Sequence, residues 1–304
     1  MNKLPLVSVI IPTYRRKEKL RRLLDSLLES DYPKNKMEII VVVDADGEDY
    51  NDLVQEFPRV KFIFNEKEKL VAESRNIGIR HSTGDYIFVI DDDNVIDKKC
   101  IWELVKFMED KPTVGIAGPI MYYYRDPHRV WCAGVKRNYY TSLTKFVGKN
   151  EIDIGQFSEP IPSEDFPNAF MIKRKVIHSV GYFDSRNFPI HYEEADFCKR
   201  ASLKGYEIYT IPSAKVWHDI PINRKGRLDN EMRVYYAARN RIIFHKKYSK
   251  WWQFLIFILI FNWAITLYYL FVIMASSEKP IIGRVRLAVR YLQGIKEGIL
   301  WKEA

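Results

Sequence analysis

Five short β-rich runs, LVSVIIP, MEIIVVVD, VKFIF, GDYIFVIDDD and TVGIAGP, alternate with stretches of helical periodicity up to about residue 120. Strands separated by helices read as a mostly parallel sheet covered by helices. In such sheets ligands gather beyond the carboxyl ends of the strands. Two runs end there in acid, VVVDADGED after the second and DDD after the fourth. Burial on both faces explains Tyr86 to Ile90, but not three adjacent carboxylates, which repel one another and lose hydration together. A positive partner is therefore expected beside Asp91, Asp92 and Asp93.

From about 120 to 165 the sequence is irregular and aromatic, as in MYYYRDPHRVW and SEPIPSEDFP, and reads as loops and short strands lining a cleft. Regularity returns with NAFMIKRKVIHSVGYFD, a strand then a helix. EEADFCKRASLKGYEIYTIP follows as a helix closed by Gly205 and another strand. These elements extend one domain over residues 1–227, and residues 228–250 read as a basic helix beside what comes next.

Residues 251–275, WWQFLIFILIFNWAITLYYLFVIMA, carry no charge and are long enough to cross a bilayer as a helix. Trp251 and Trp252 stand where an interfacial anchor belongs. Basic residues lie on both sides of the segment, so the positive-inside rule gives no orientation, and the segment either crosses once or enters and returns. Within residues 276–304, Ile282, Val285, Val289, Leu292 and Ile295 recur near helical spacing among Arg284, Arg286, Arg290 and Lys296. That pattern suits an amphipathic helix on an anionic membrane face, or one docked on the preceding domain.

The chain of 304 residues can bury a sizeable core, and its net charge of +9 admits nucleic acid, anionic lipid or phosphorylated substrates as partners. Much of the basic excess sits in RVYYAARNRIIFHKKYSK beside the apolar segment, which favours a membrane surface over nucleic acid. Cys100, Cys132 and Cys198 are odd in number and widely spaced, so neither a disulfide framework nor a zinc site is indicated. LVSVIIP is too short for a signal h-region and is followed by RRKEKLRR rather than a cleavage site. A reducing, cytoplasmic setting for the first domain is expected.

Aspartates at i, i+2, here Asp91 and Asp93, can bring carboxylate oxygens near a common point where a strand bends into a loop. Open oxygen sites suit Mg²⁺ or Mn²⁺ with substrate phosphates, while a solvated acidic loop is the other reading.

VSVIIPTYRR, VVVDADGED, ESRNIGIRHSTGDYIFVIDDD and YFDSRNFPIHYEEADFCKRASLKGYEIYTIPSAKVWH stand in the order and spacing of the family 2 glycosyltransferases. The chain resembles that family over roughly residues 5–245, and its last block most resembles the rhamnosyltransferase-like branch. The resemblance implies an α/β GT-A fold and an inverting transfer from a nucleotide-diphosphate sugar. It puts Pro12, Thr13, Asp44, Arg75, Asp91 and Asp92 around the nucleotide, with Asn76 and Gly78 in the same SRNIG stretch. Asp91 and Asp93 match the D-x-D motif, Asp93 as metal ligand of choice, and His218 matches a histidine that completes the metal site in some relatives. HYEEADF aligns with Tyr-Glu-Asp-x-Asp, whose central aspartate is the proposed base; here that position is Glu194, with Glu193 and Asp196 as alternates.

The expected activity is metal-dependent transfer to a hydroxyl of a lipid-linked or cell-envelope glycan, by a protein at the cell membrane with its catalytic domain on the cytoplasmic side. Alternatives are transfer to a polyprenyl phosphate, or a catalytically silent membrane-tethered module that binds sugar nucleotides. Nucleotidyl transfer would want a Gly-rich N-terminal loop, and VSVIIPTYRR has no glycine. A chain cut near residue 248 is expected to be a soluble domain that still binds donor and metal.

Overall fold

A computed structural model describes residues 4–45, 47–222, 230–276 and 280–303. Its first half follows the alternation read from the sequence. Strand β1 (Val7–Thr13) is buried along its whole length, and α1 (Lys17–Leu28) covers the sheet with Leu20, Leu23, Leu24 and Leu27, one apolar stripe at helical spacing. Next come β2 (Met37–Val43), α2 (Asn51–Glu56), β3 (Val60–Phe64), α3 (Leu70–Arg80) and β4 (Tyr86–Ile90). These strands pair in parallel in the order β4-β1-β2-β3. Helix α3 lies so close to the sheet that a Cβ on Gly78 would stand 2.4 Å from the Ile10 side chain. Gly78 is thus a close-approach residue.

The second half turns the sheet from parallel to mixed. After β5 (Asn94–Ile96), α4 (Cys100–Asp110), β6 (Val114–Tyr123) and β7 (Asp126–Cys132), a two-stranded ribbon forms from β8 (Val135–Arg137) and β9 (Thr144–Phe146). The short β10 (Ile161–Pro162) then leads to β11 (Ala169–Lys173), which runs antiparallel between β4 and β6. Helices α5 (Arg174–Val180) and α6 (Glu193–Leu203) follow, and β12 (Glu207–His218) pairs parallel to β6. The ends of β1, β2, β4 and β12 thereby bring Thr13, Asp44, Asp91 to Asp93 and His218 to one cleft.

The remaining helices form a bundle against this body. Helix α7 (Glu231–Tyr248) is followed by α8 (Trp251–Ile256), which passes through a π-helical turn at Phe257–Phe261 into α9 (Asn262–Ala275), and then by α10 (Ile281–Leu300). Phe257 stacks on His245 and Asn262 meets Arg241, so the apolar helix runs antiparallel to α7. Arg290 meets Glu231 and Lys246 meets the Ile299 carbonyl, so α10 runs parallel to it. Val234, Ala238 and Ile242 pack with Phe257, Ile273, Leu287, Tyr291 and Ile295. The α7 and α10 backbones approach so closely that a Cβ on Gly294 would lie 2.3 Å from the Tyr235 carbonyl.

The bundle's outer surface is apolar. Leu259, Ile260, Trp263, Leu267 and Phe271 are exposed on the apolar helix, and Ile281, Ile282, Val285, Val289 and Leu292 on α10. Ile295 faces inward. Helix α10 is thus docked on one face, and its other face exposes these apolar residues together with Arg286 and Arg290. Several cations of the basic helix make contacts within the protein: Arg239 bonds the Asn187 carbonyl and Lys247 the Asp196 carboxylate, tying the bundle to the body, while Lys246 bonds the Trp301 carbonyl within the bundle. The boundary expected between residues 227 and 228 lies outside the described residues.

Candidate functional site

At the end of β2, Asp44 is buried, and its carboxylate accepts from Asn65 and from the backbone N–H groups of Lys69 and Leu70 at 2.8 to 3.1 Å. It thus shapes the entry to α3 while lining the cleft with Pro12 and Thr13. One strand over, the Thr13 hydroxyl donates to Asp92 at 2.8 Å. The Arg16 guanidinium bridges Asp92 at 3.0 Å and Asp93 at 2.8 Å. Burial and the charge on Asp93 push the Asp92 carboxyl up, against the pull of Arg16. Burial would also raise Asp93, but His218 and Arg16 hold it well below the usual carboxylate range.

His218 ends β12 with its ring against Trp131, and its Nε2 lies 3.2 Å from Asp93 Oδ1. That buried oxygen accepts no well-directed hydrogen bond. An orphaned carboxylate oxygen beside an imidazole nitrogen is a donor set that Mn²⁺ or Mg²⁺ accepts, so the residues fit a divalent cation. Asp91 does not complete a ligand trio with them: its Oδ1 takes the Arg75 guanidinium at 2.7 Å. Among the described residues, no three His, Cys, Asp or Glu side chains converge on one point. Asp93 and His218 would thus supply two donors to a cation and leave its other positions to further oxygen ligands.

Deeper in the cleft, Arg75 has no exposed surface and serves three carboxylates: Asp91 at 2.7 Å, Glu194 at 2.9 Å and Glu193 at 3.4 Å. Burial alone would lower its pKa, but Glu194, Asp91 and Glu193 together raise it. Burial and the neighbouring Glu193 charge push Glu194 well above the usual glutamate range, with Arg75 opposing. Glu193 is raised by burial, again against Arg75. Among the described residues the triplet's positive partners are therefore Arg16 on the outer side and Arg75 on the inner.

Both glutamates begin α6, and the turn before them is unusual. His191 and Tyr192 have φ of 63° and 70°, in the left-handed region. Such backbone is costly for residues with a Cβ and persists only where the surroundings hold it. Asn240 of α7 holds it by donating to the Ile190 carbonyl at 2.9 Å and the His191 carbonyl at 3.0 Å. The sequence alternate Asp196 points elsewhere: fully buried, it takes Arg200 at 2.8 Å, Lys247 at 2.7 Å and Tyr248 at 2.5 Å, and ties α6 to α7. It does not line the cleft. Asn76 likewise packs rather than lines: its amide exchanges two 2.9 Å hydrogen bonds with the backbone of Phe183.

One cavity of about 870 Å³ joins these groups, reaching from Pro12 and Asp44 past Asp93, Glu194 and His218 to Arg233, Arg241, Ile265, Tyr268, Tyr269 and Tyr291. The wall opposite the strand ends is thus made by the helical bundle. The sequence profile described as glycosyl transferase family 2 matches residues 8–178. The chain belongs to that family.

Among its relatives, the probable glycosyltransferase YdaM of Bacillus subtilis is 28% identical over 73% of this chain. The chain spans only 52% of YdaM's length. A glucosyl-dolichyl phosphate glucuronosyltransferase of Haloferax volcanii is 24% identical over 81% of this chain and 74% of its own. The mannosyltransferase PcManGT of Pyrobaculum calidifontis, solved with GDP-Man and Mn²⁺, shares the fold with a TM-score of 0.60 and 17% identity, over 98% of this chain and 85% of that one.

Three residues of this family 2 chain escape sequence reasoning. Arg16 stands in the quoted TYRR, and its place just after a strand that ends at the acidic edge is the signal that points to it. Asn240 and Arg241 lie in a helix whose many cations suggested a surface, and nothing local distinguishes the inward-facing ones.

Proposed function

We propose that this chain is an inverting glycosyltransferase of the rhamnosyltransferase-like branch. It moves a sugar from a nucleotide-diphosphate sugar to a hydroxyl of a lipid-linked envelope glycan, at the cytoplasmic face of the cell membrane. The observation that carries the reading is one cavity shared by the strand-end acids, Glu194 with Arg75 buried behind it, and the inner face of the apolar helix. Pro12, Thr13 and Asp44 line the nucleotide end, with Arg75, Asp91 and Asp92 beneath the diphosphate. Asp93 and His218 would hold Mg²⁺ or Mn²⁺, which when bound supplies neutralising charge for the leaving diphosphate.

Glu194 takes the proton of the acceptor hydroxyl as that oxygen attacks the anomeric carbon. The bond from that carbon to the donor phosphate breaks, and the nucleoside diphosphate leaves with the electron pair. Arg75 holds the glutamate in position and favours its charged form. A single displacement inverts the anomeric centre.

Residues in the middle of the apolar helix, Ile265, Tyr268 and Tyr269, line the same cavity as Asp93. A helix standing across the bilayer would carry these acids to its centre, where charge is expensive. The helix therefore lies along the membrane surface, with the exposed faces of α9 and α10 in the lipid. Calorimetric titration of the full chain with UDP-, GDP- and dTDP-sugars, with and without Mn²⁺, tests the reading. One donor class should bind in a Mn²⁺-dependent way, and no binding of any would sink it.

A further inference from the structure

Three buried or nearly buried arginines stand around the cavity, and two are neutralised. Arg75 meets three carboxylates and Arg137 pairs with Asp165. Arg241 is only 5% exposed and has no carboxylate among the described residues. Among the described residues its guanidinium donates to the Asn262 amide oxygen at 3.1 Å and lies 5.8 Å from the Tyr291 ring centre. Its Nε and the Asn262 amide nitrogen are buried and have no hydrogen-bond partner among the described residues. A buried cation without a counter-ion is expensive, and so are donors left unmade.

A planar guanidinium with an unmade N–H beside an amide N–H matches the oxygens of a phosphate. The surroundings choose the source. Asn262, Ile265, Thr266 and Tyr269 form one face of α9 at helical spacing: Ile265 and Tyr269 line the cavity and Asn262 and Thr266 are buried, while Trp263, Leu267 and Phe271 on the other face are exposed. A phosphate held by Arg241 and Asn262 has an apolar helix beside it along which a hydrocarbon chain can leave the cavity.

We infer that Arg241 and Asn262 form a subsite for the phosphate of a polyprenyl-linked acceptor, separate from the donor's diphosphate. The inference rests on the glycosyltransferase reading for its purpose but not for its test. Full-length protein in phosphatidylcholine nanodiscs is titrated with farnesyl phosphate, farnesol, inorganic phosphate, and UDP or GDP with Mn²⁺. Farnesyl phosphate should bind at least 10-fold more tightly than farnesol. Arg241→Gln should erase that difference, and Arg241→Lys should keep part of it.

Asn262→Asp is the deciding variant. It puts an anion beside Arg241, so it should raise the melting temperature and yet abolish the preference for farnesyl phosphate. A purely structural Arg241–Asn262 pair would gain stability with no change in lipid binding. Equal binding of farnesyl phosphate and farnesol by the wild-type protein overturns the subsite. So does a loss in Arg241→Gln that falls on the nucleoside diphosphate instead, since the arginine then serves the donor. Farnesyl phosphate bound by a protein that binds none of UDP, GDP and dTDP with Mn²⁺ would refute the glycosyltransferase reading and support the subsite.

Discussion

Glu194 carries a conflict between stability and chemistry. Burial and the Glu193 charge raise its pKa, so the folded protein holds a proton that the unfolded chain releases. Stability should therefore fall as pH rises from the ordinary glutamate value, about 4.3, through the raised one. With Glu194 as the proposed base, which acts in its ionised form, transfer should rise over the same interval. Glu194→Gln is expected to lower kcat by about 10²-fold or more with donor affinity unchanged, since a general base acts in the transition state. It should also flatten that part of the melting-temperature profile. A variant that transfers at the wild-type rate would remove Glu194 from the base role. Asp93→Asn keeps the shape and loses the charge, so UDP and GDP affinities with and without Mn²⁺ should converge. A Mn²⁺ effect that survives the change would show that Asp93 is not the ligand.

At the scale of elements, the strands of the first half were legible because each is a short apolar run ended by turn or acid residues. The direction of β11 was not. NAFMIK reads as a strand, but its antiparallel course between β4 and β6 depends on where an irregular aromatic stretch returns the chain. The site edge formed by β1, β2 and β4 was legible for the same local reason, whereas the far wall was not, since Asn240 and Arg241 differ from surface residues only in what packs on them. Asn240 gives the sharpest test of that wall. Asn240→Leu removes both hydrogen bonds to the Ile190 and His191 carbonyls. The left-handed turn then loses its tie and the two glutamates their fixed start. We expect transfer to drop by about 10-fold or more, and stability to fall by about 1–3 kcal/mol from buried carbonyls left unpaired. Unchanged kinetics with lowered stability would limit the residue to folding.

As a whole, the molecule is body and bundle together, which alters the expectation for a shortened chain. Ending it near residue 248 bares Val234, Ala238 and Ile242 and removes Trp301, whose indole donates to Asn187 at 2.9 Å. Such a chain should aggregate without detergent rather than behave as a free domain, as size-exclusion chromatography would reveal. The proposed surface-lying course of the apolar helix can be tested, because the three native cysteines are all buried and give little background. Cysteines placed by Lys250→Cys and Ser276→Cys, at the two ends of the apolar helix, should react from the same side of sealed vesicles with a membrane-impermeant maleimide. Labelling from opposite sides would mean a crossing. The proposed lipid-linked acceptor has a kinetic consequence. It would arrive at the cleft by lateral diffusion, so the relevant concentration would be a mole fraction in the bilayer and not a molarity. Adding inert lipid at constant total acceptor should slow transfer in proportion to the added surface, while changes in vesicle volume leave the rate alone. The donor obeys ordinary solution concentration, so one active site would follow a two-dimensional law for one substrate and a three-dimensional law for the other.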